Sequence, residues 1–294
     1  MRNILLGTDW WTDCDDAVAV RLLVRAAKAE KIRLLGIGIN ACMEYSVASL
    51  TGFLRAEGAL GIPLGIDLDA TDFGKNPPYQ RRLALDYAPE IDNSDAIDAV
   101  RLYRKVLAEA KEKIEIIEIG YLQVLANVLK SPADDISDKS GAALVSEKVS
   151  KIWVMAGKWD KDGEKENNFC RNARSRTAGY ELCELCPVPM TFLGWEVGYN
   201  VITGDKLDKS DHLYRVLADH GSQNGRHSWD PMLVLMALTG DEDTAGYKTV
   251  IGKAAVDPDT GANRFLNDPH GIHKFVVKAH PDDYYAKEIN DRIG

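Results

Sequence analysis

The sequence predicts an α/β protein built on a single open, mostly parallel sheet with helices on both faces. Three observations predict it. Short apolar runs alternate with amphipathic segments from the first residues onward, and such alternation implies parallel strands joined by crossover helices. No composition break, internal repeat or low-complexity stretch marks a linker, so residues 1–294 read as one domain. Polar residues gather where the predicted strands end, which is where open α/β sheets bind ligands. Together these describe a Rossmann-like core.

The elements follow in order. "NILLGTD" (3–9) reads as a buried strand ending in polar residues, and "DDAVAVRLLVRAAKAE" (15–30) as a helix with acids in its first turn. "IRLLGIGIN" is the next strand, "SVASLTGFLRAEGA" the next helix and "IPLGID" a short third strand. Residues 69–94, rich in Pro, Asn and Asp, read as a loop. Ser94 is placed to cap a helix over 95–112, and "KIEIIEIG" (113–120) is a fourth strand. The helix "LQVLANVLKS" and the strand "VSKIWVMAG" come next. A polar stretch (158–175) leads to a helix around 177–185 and a strand over 188–197. The last 60 or so residues read as helix, then loop or strand. The polar strand ends are Asp9 with its neighbours, Asn40, the Gly120–Gln123 turn, the loop with Glu166 and Asn168, and Glu196.

Composition narrows the function classes. The chain is 45% hydrophobic and 28% charged, ordinary for a globular protein. A net charge of −9 argues against a nucleic-acid partner, which calls for clustered Lys and Arg. No apolar stretch is long enough to span a membrane. The N-terminus lacks the features of a secretory signal, and five scattered cysteines point to free thiols in a reducing compartment. A cytoplasmic location is the expectation. Cys183 and Cys186 have suggestive spacing but no second ligand pair, so no zinc site is expected there.

Chemistry concentrates in "DWWTDCDD". Asp9, Asp13, Asp15 and Asp16 fall within eight positions, and carboxylates so close repel unless a positive charge lies among them. An all-oxygen set of this kind suits Ca²⁺ or Mg²⁺. The twelve-residue EF-hand pattern is absent. Helix capping is the alternative, with Asp13 or Asp15 as N-cap and Asp16 facing the dipole, though capping needs only one or two acids. No glycine-rich phosphate loop occurs at this turn, and four acids would repel phosphate. An aspartyl-nucleophile phosphatase would need an acid two residues after the first, where Trp11 stands.

The segment "ILLGTDWWTDCDDAVAV" resembles the N-terminal signature of the inosine–uridine nucleoside hydrolase family, D-x-D-x-G-x-D-x-D-D or D-x-D-P-G-x-D-D running into an apolar helix. "GIGINACMEYSVAS", "IGYLQVLANVL", "KENNFCRNA" and "GRHSWDPMLVL" are similar to the later motifs of that family, in its order. The resemblance implies a nucleoside hydrolase-like domain with one Ca²⁺ (Mg²⁺ as the alternative) that grips the ribose hydroxyls. Asp9, Asp16 and Asp230 match its side-chain ligands, Gln123 the residue giving a backbone carbonyl, and Asp15 the general base acting on the attacking water. Asn40, Glu166 and Asn168 match ribose-binding positions. A second register would make Asp13 the base and put Cys14 at a ligand position. Cysteine is a poor ligand for Ca²⁺, which favours Asp15 and Asp16.

Three departures stand out. Gly7 replaces the first aspartate of the signature, and G-Y-L-Q-V replaces its G-P-L-T-N turn. Trp229 precedes Asp230 where pyrimidine-accepting members carry histidine; a tryptophan there implies stacking on a purine. Trp10 or Trp11 could add an aromatic wall, and His227 is the nearest substitute acid; His270 and His273 fall in a C-terminal loop. The implied function is metal-dependent hydrolysis of ribonucleosides, leaning to purines, by a homo-oligomer (dimer or tetramer) serving nucleoside salvage. The alternatives are hydrolysis of another ribosyl or glycosyl bond and non-catalytic binding of ribose or nucleosides.

Overall fold

The first apolar run forms β1 (Arg2–Thr8), buried from Ile4 to its end because helices cover both faces of the sheet around it. The computed structural model describes residues 1–294. The other strands are β2 (Ile32–Ile39), β3 (Leu64–Ile66), β4 (Ile97–Asp98), β5 (Ile114–Glu118), β6 (Val149–Met155), β7 (Glu164–Lys165), β8 (Met190–Leu193), β9 (Ile202–Thr203), β10 (Arg226–His227), β11 (Tyr247–Val256), β12 (Ala262–Asn267) and β13 (His273–Lys278). Eleven of them make one sheet, ordered β4-β3-β2-β1-β5-β6-β8-β13-β11-β12-β7, while β9 and β10 pair apart from it. Pairing is parallel from β4 to β13 and antiparallel from β13 to β7. The sheet is therefore open and mostly parallel, as predicted.

The chain winds outward from β1 to β4, then returns to β5 on the other side of β1. Such a reversal opens a crevice at the carboxyl ends of β1 and β5. Along β1 the side chains alternate between two cores: Ile4 and Leu6 enter one, Leu5 the other.

The helices are α1 (Asp15–Lys28), α2 (Ser46–Ala56), α3 (Pro78–Tyr87), α4 (Ala99–Glu109), α5 (Gln123–Lys130), α6 (Gly141–Lys148), α7 (Asn167–Cys170), α8 (Ala173–Leu185), α9 (Trp195–Gly198), α10 (His212–Asp219), α11 (Trp229–Thr239) and α12 (Asp282–Ile293). Apolar residues run almost all round α11, as befits a helix buried in the core, and it packs against α1. None of these helices is long and apolar enough to cross a membrane.

Four expectations need correction. The stretch 69–94 is not all loop: α3 begins at Pro78, whose missing N–H costs nothing in a first helical turn. Its pattern is hard to see because only Tyr79, Gln80, Leu83 and Ala84 are buried. Ser94 caps no long helix. Asp92 caps a short 3-10 turn instead, Ile97 and Asp98 form β4, and the Asp98 carboxylate caps α4 by accepting from Arg101 N at 2.9 Å. The helices α6 and α10 arise where no element was expected. His273 is not in a loop but buried at the start of β13, where its Nδ1 accepts from Ala254 N at 3.0 Å and burial lowers its pKa to about 4.

One buried carboxyl lies in the centre of the sheet. Glu118, the last residue of β5, is fully buried, and its Oε1 accepts a 2.9 Å hydrogen bond from the Tyr103 hydroxyl of α4. Tyr103 packs closely on β2 where it carries glycine: a Cβ on Gly38 would stand 2.6 Å from the ring. Burial raises the pKa of Glu118 from 4.5 to about 8. Folded protein thus holds a proton that unfolded chain releases across this interval. Stability from Glu118 is complete below pH 4.5 and is lost as pH rises to about 8, by at most ~1.4 kcal/mol per pH unit. Urea denaturation of wild type and Glu118→Gln across this range should show a steeper loss of stability in wild type, the difference being the part that Glu118 contributes. Equal slopes would mean that Glu118 is ionised in the fold.

Candidate functional site

At the reversal between β1 and β5 lies a cavity of about 160 Å³. Asp9 enters it just beyond β1, Ile119 just beyond β5, and Met155 at the end of β6. Glu166, Asn167 and Asn168 come from the start of α7, and Trp195 from α9. The first turns of α1 and α11 bring Asp15 and Asp16, and Trp229 and Asp230. Chain segments far apart in sequence converge here because each follows a strand end or opens a helix at the same edge of the sheet.

The acidic loop between β1 and α1 is tightly held. Trp10 and Thr12 adopt left-handed backbone (φ 48° and 58°), each at a cost of about 1–3 kcal/mol. Side chains from elsewhere fix this shape. Gln80 of α3 donates to Trp10 O at 2.6 Å, and the Tyr79 hydroxyl to Asp13 O at 3.0 Å. Trp11 N donates to Asp9 Oδ1 at 3.0 Å, and its indole N–H to Lys75 O at 2.7 Å. The helix missing from the sequence reading is therefore the clamp on the loop that reading singled out. Of the two tryptophans, Trp11 lines the cavity, whereas Trp10 is buried in the core with its indole bonded to Ser49 at 2.8 Å.

Carboxylate oxygens of Asp15, Asp16 and Asp230 lie within 4.8 Å of one another, all buried, and Asp9 lines the same cavity. Burial is the largest cause raising the pKa of each of the four, and the charges of neighbouring aspartates add to it. The α11 N-terminus offsets part of this, since Asp230 N donates to Asp15 Oδ2 at 3.1 Å. Asp16 Oδ1 accepts from the Thr8 hydroxyl and from Trp10 N. Arg226 acts on Asp15 through its charge but is bonded to Asp13 on the same lining: its Nε and Nη2 hold the two oxygens of Asp13, with Nε to Oδ1 at 2.6 Å. Asp13 is thereby neutralised. The same pairing leaves little for an ion where Asp13, Cys14 and His220 come together. Cys14 itself is wholly buried in the core.

The residues present fit a hard divalent cation. All close donors are carboxylate oxygens, the set that Ca²⁺ and Mg²⁺ prefer. Three aspartates in mutual contact without a cationic side chain are costly unless a positive ion lies among them. Two further buried polar atoms, Asn40 Nδ2 and Gln123 Oε1, lack a protein partner, but neither residue is on the cavity lining.

Other expected residues divide into two groups. Glu166 and Asn168 line the cavity: the Glu166 carboxylate accepts from Gly157 N and Asn168 N at 3.0 and 2.9 Å, and Asn168 Nδ2 donates to Met155 O at 2.8 Å. Burial raises Glu166 to about 7 against the pull of those bonds. Trp229 lines it as well, its indole N–H donating to Trp195 O at 2.8 Å. Asn40 and Gln123 are not on the lining. Asn40 Oδ1 accepts from Tyr121 N at 2.9 Å, and the Gln123 amide donates to Asn40 O and Asp67. His227 also stands off the lining, stacked on Tyr199 with ring centroids 4.7 Å apart.

Sequence reasoning missed Trp195, Asn167, Ile119 and Met155. Trp195 lies two residues past the end of β8, but inside the longer strand (188–197) that the sequence predicts, where only Glu196 reads as a polar strand end. Glu196 accepts from Trp159 N at 3.2 Å and is not on the cavity lining. Trp195 and Trp229 stack with centroids 6.3 Å apart and planes 28° from parallel, making one aromatic wall.

The arrangement defines a class: a doubly wound α/β protein with a buried, oxygen-only acidic site beside an aromatic wall at its switch point. No protein-family model matches the sequence, and no curated protein matches it. Solved structures do share its fold. A purine-preferring ribonucleoside hydrolase from Gardnerella vaginalis is 16% identical with a TM-score of 0.74, over 99% of this chain and 98% of that one. An inosine-uridine preferring nucleoside hydrolase from Bacillus anthracis is 16% identical with a TM-score of 0.68, over 99% and 100%. The type III effector protein XopQ, complexed with adenosine diphosphate ribose, is 15% identical with a TM-score of 0.65, over 99% and 93%. The chain has the nucleoside hydrolase fold.

Proposed function

We propose that the protein hydrolyses the N-glycosidic bond of ribonucleosides, preferring purine bases, with Ca²⁺ bound (Mg²⁺ as the alternative). The observation that carries this reading is the aspartate cluster without a cationic side chain, set in the same cavity as Trp11, Trp195 and Trp229. A cation and a flat ring are thus accommodated side by side. When bound, the ion supplies a grip on the ribose 2′- and 3′-hydroxyls and acidifies the attacking water.

The chain's own groups do the rest. Asp9, Asp16 and Asp230 hold the cation. Asp15, oriented through its Oδ2 by the Asp230 backbone N–H, takes a proton from the water. Asn168 and Glu166 receive ribose hydroxyls, an amide and a carboxyl serving donor and acceptor needs together. Bond cleavage develops positive charge on the sugar, which the surrounding carboxylates stabilise. Oxygen from water ends on the sugar carbon, a proton goes to the leaving nitrogen, and ribose and free base result. The three indoles hold the base by stacking.

Incubation with inosine and Ca²⁺, followed by chromatography of free hypoxanthine, tests the activity; no turnover of any nucleoside overturns it. Trp229→Ala should raise KM for inosine roughly tenfold, since stacking on one aromatic ring contributes about 1–3 kcal/mol. The effect on uridine should be much smaller. Equal losses on both would remove the purine preference.

The adenosine diphosphate ribose complex of XopQ favours a second reading, a ribosyl substrate with a different leaving group held by the same ribose contacts. A panel of nucleosides and ribosyl phosphodiesters separates the two, and tight binding without turnover would mark a binding protein. A cytoplasmic homo-oligomer acting in nucleoside salvage accompanies the first reading, its assembly readable by light scattering.

A further inference from the structure

Gly7 stands on β1 two residues before Asp9 and pairs in register with Glu118 of β5. A Cβ at Gly7 would lie 1.9 Å from Glu118 Oε2 and 2.6 Å from the Tyr103 hydroxyl. Backbone conformation does not require glycine here, because φ is not in the left-handed region. Space requires it. The carboxyl of Glu118 fills the volume that a side chain at residue 7 would take.

That carboxyl is retained at a cost. Glu118 is 0% exposed, and Oε2 has no hydrogen-bond partner, an omission worth about 1–3 kcal/mol. An apolar residue would avoid the penalty. The carboxyl nevertheless packs at the joint between the two strands that present the site. Ile119 N donates to Gly7 O at 2.9 Å, and Ile119 lines the cavity. On the other strand, Thr8 donates to Asp16, and Asp9 lines the cavity.

We propose that Glu118 is a positioning residue: its carboxyl, supplied across the sheet from β5 and braced by Tyr103, fixes the end of β1 so that Thr8 and Asp9 are set for cation binding. The inference rests on the cation site described above. Glycine at residue 7 and glutamate at residue 118 are two halves of one arrangement, in which the acid is carried by the neighbouring strand.

Calorimetric Ca²⁺ titration of the full chain tests it, with thermal denaturation by circular dichroism reporting folding. Glu118→Ala should weaken Ca²⁺ binding about tenfold or more, the range seen when groups supporting metal ligands are removed. Glu118→Gln, which keeps the shape and the acceptor for Tyr103, should stay near wild-type affinity. The exchange Gly7→Asp with Glu118→Ala returns a carboxyl to the same volume from the other strand and should recover most of the loss. Lower thermal stability of Glu118→Ala with wild-type Ca²⁺ affinity overturns the proposal, because a merely structural carboxyl behaves that way. An exchange pair no better than Glu118→Ala also overturns it. If Glu118→Ala does not fold, the exchange pair decides: folded with near wild-type affinity supports the proposal, anything else refutes it. Absence of Ca²⁺ binding by wild type removes the cation site as well, which distinguishes the two failures.

Discussion

Asp15→Asn is expected to lower kcat for inosine by roughly 10²–10⁴-fold, the contribution of a positioned general base. Ca²⁺ binding should persist. Asparagine keeps the shape and can still accept from Asp230 N, the bond that orients Asp15 at 3.1 Å. It cannot take a proton from water. Neighbouring Asp13 provides the contrast, because Arg226 already holds both of its oxygens. Asp13→Asn should therefore act through loop position and cost far less than Asp15→Asn. Steady-state kinetics with calorimetry reads both variants. A loss of less than tenfold at Asp15, or a larger one at Asp13, would reassign the base.

Removing Ca²⁺ should destabilise the wild-type fold, and removing one aspartate should partly reverse that loss. Asp9, Asp15, Asp16 and Asp230 are buried together, and burial, with the charges of neighbouring aspartates added to it, raises the pKa of each. Above the ordinary carboxylate range, metal-free protein must either keep protons that the unfolded chain has lost or hold like charges close. Both weaken the folded state as pH rises. A bound cation relieves this, and Ca²⁺ at a hundredfold its dissociation constant adds about 2.7 kcal/mol. In EDTA at mildly alkaline pH, Asp230→Asn should melt above wild type, since one repelling charge is gone. With Ca²⁺ the order should reverse. A wild-type melting temperature indifferent to EDTA and Ca²⁺ alike would remove the cation site.

Much of this was legible before folding, for a physical reason that differs by feature. The α/β alternation shows because a strand repeats every two residues and a helix every 3.6, both local properties. The acid cluster shows because Asp9 to Asp16 are neighbours in the chain. The helix α3 did not show, since little of its surface is apolar and its main contacts, Tyr79 to Asp13 and Gln80 to Trp10, are made with a distant loop. Trp10 and Trp11 are equivalent in sequence, and only the left-handed turn at Trp10 sends one into the core and the other into the cavity.

The sequence by itself determined the alternation of the main strands and helices, the open, mostly parallel sheet, and an acidic turn that demands a positive charge. Only the tertiary structure decided what completes that turn. Asp230 reaches Asp15 across 215 residues of chain, Arg226 reaches Asp13 across 213, and Glu118 fills the space left at Gly7. Local periodicity sets which elements form, but it carries no information about which strand lies beside which. That choice belongs to packing, and with it come the Arg226 cation that neutralises Asp13 and the carboxyl that makes residue 7 a glycine.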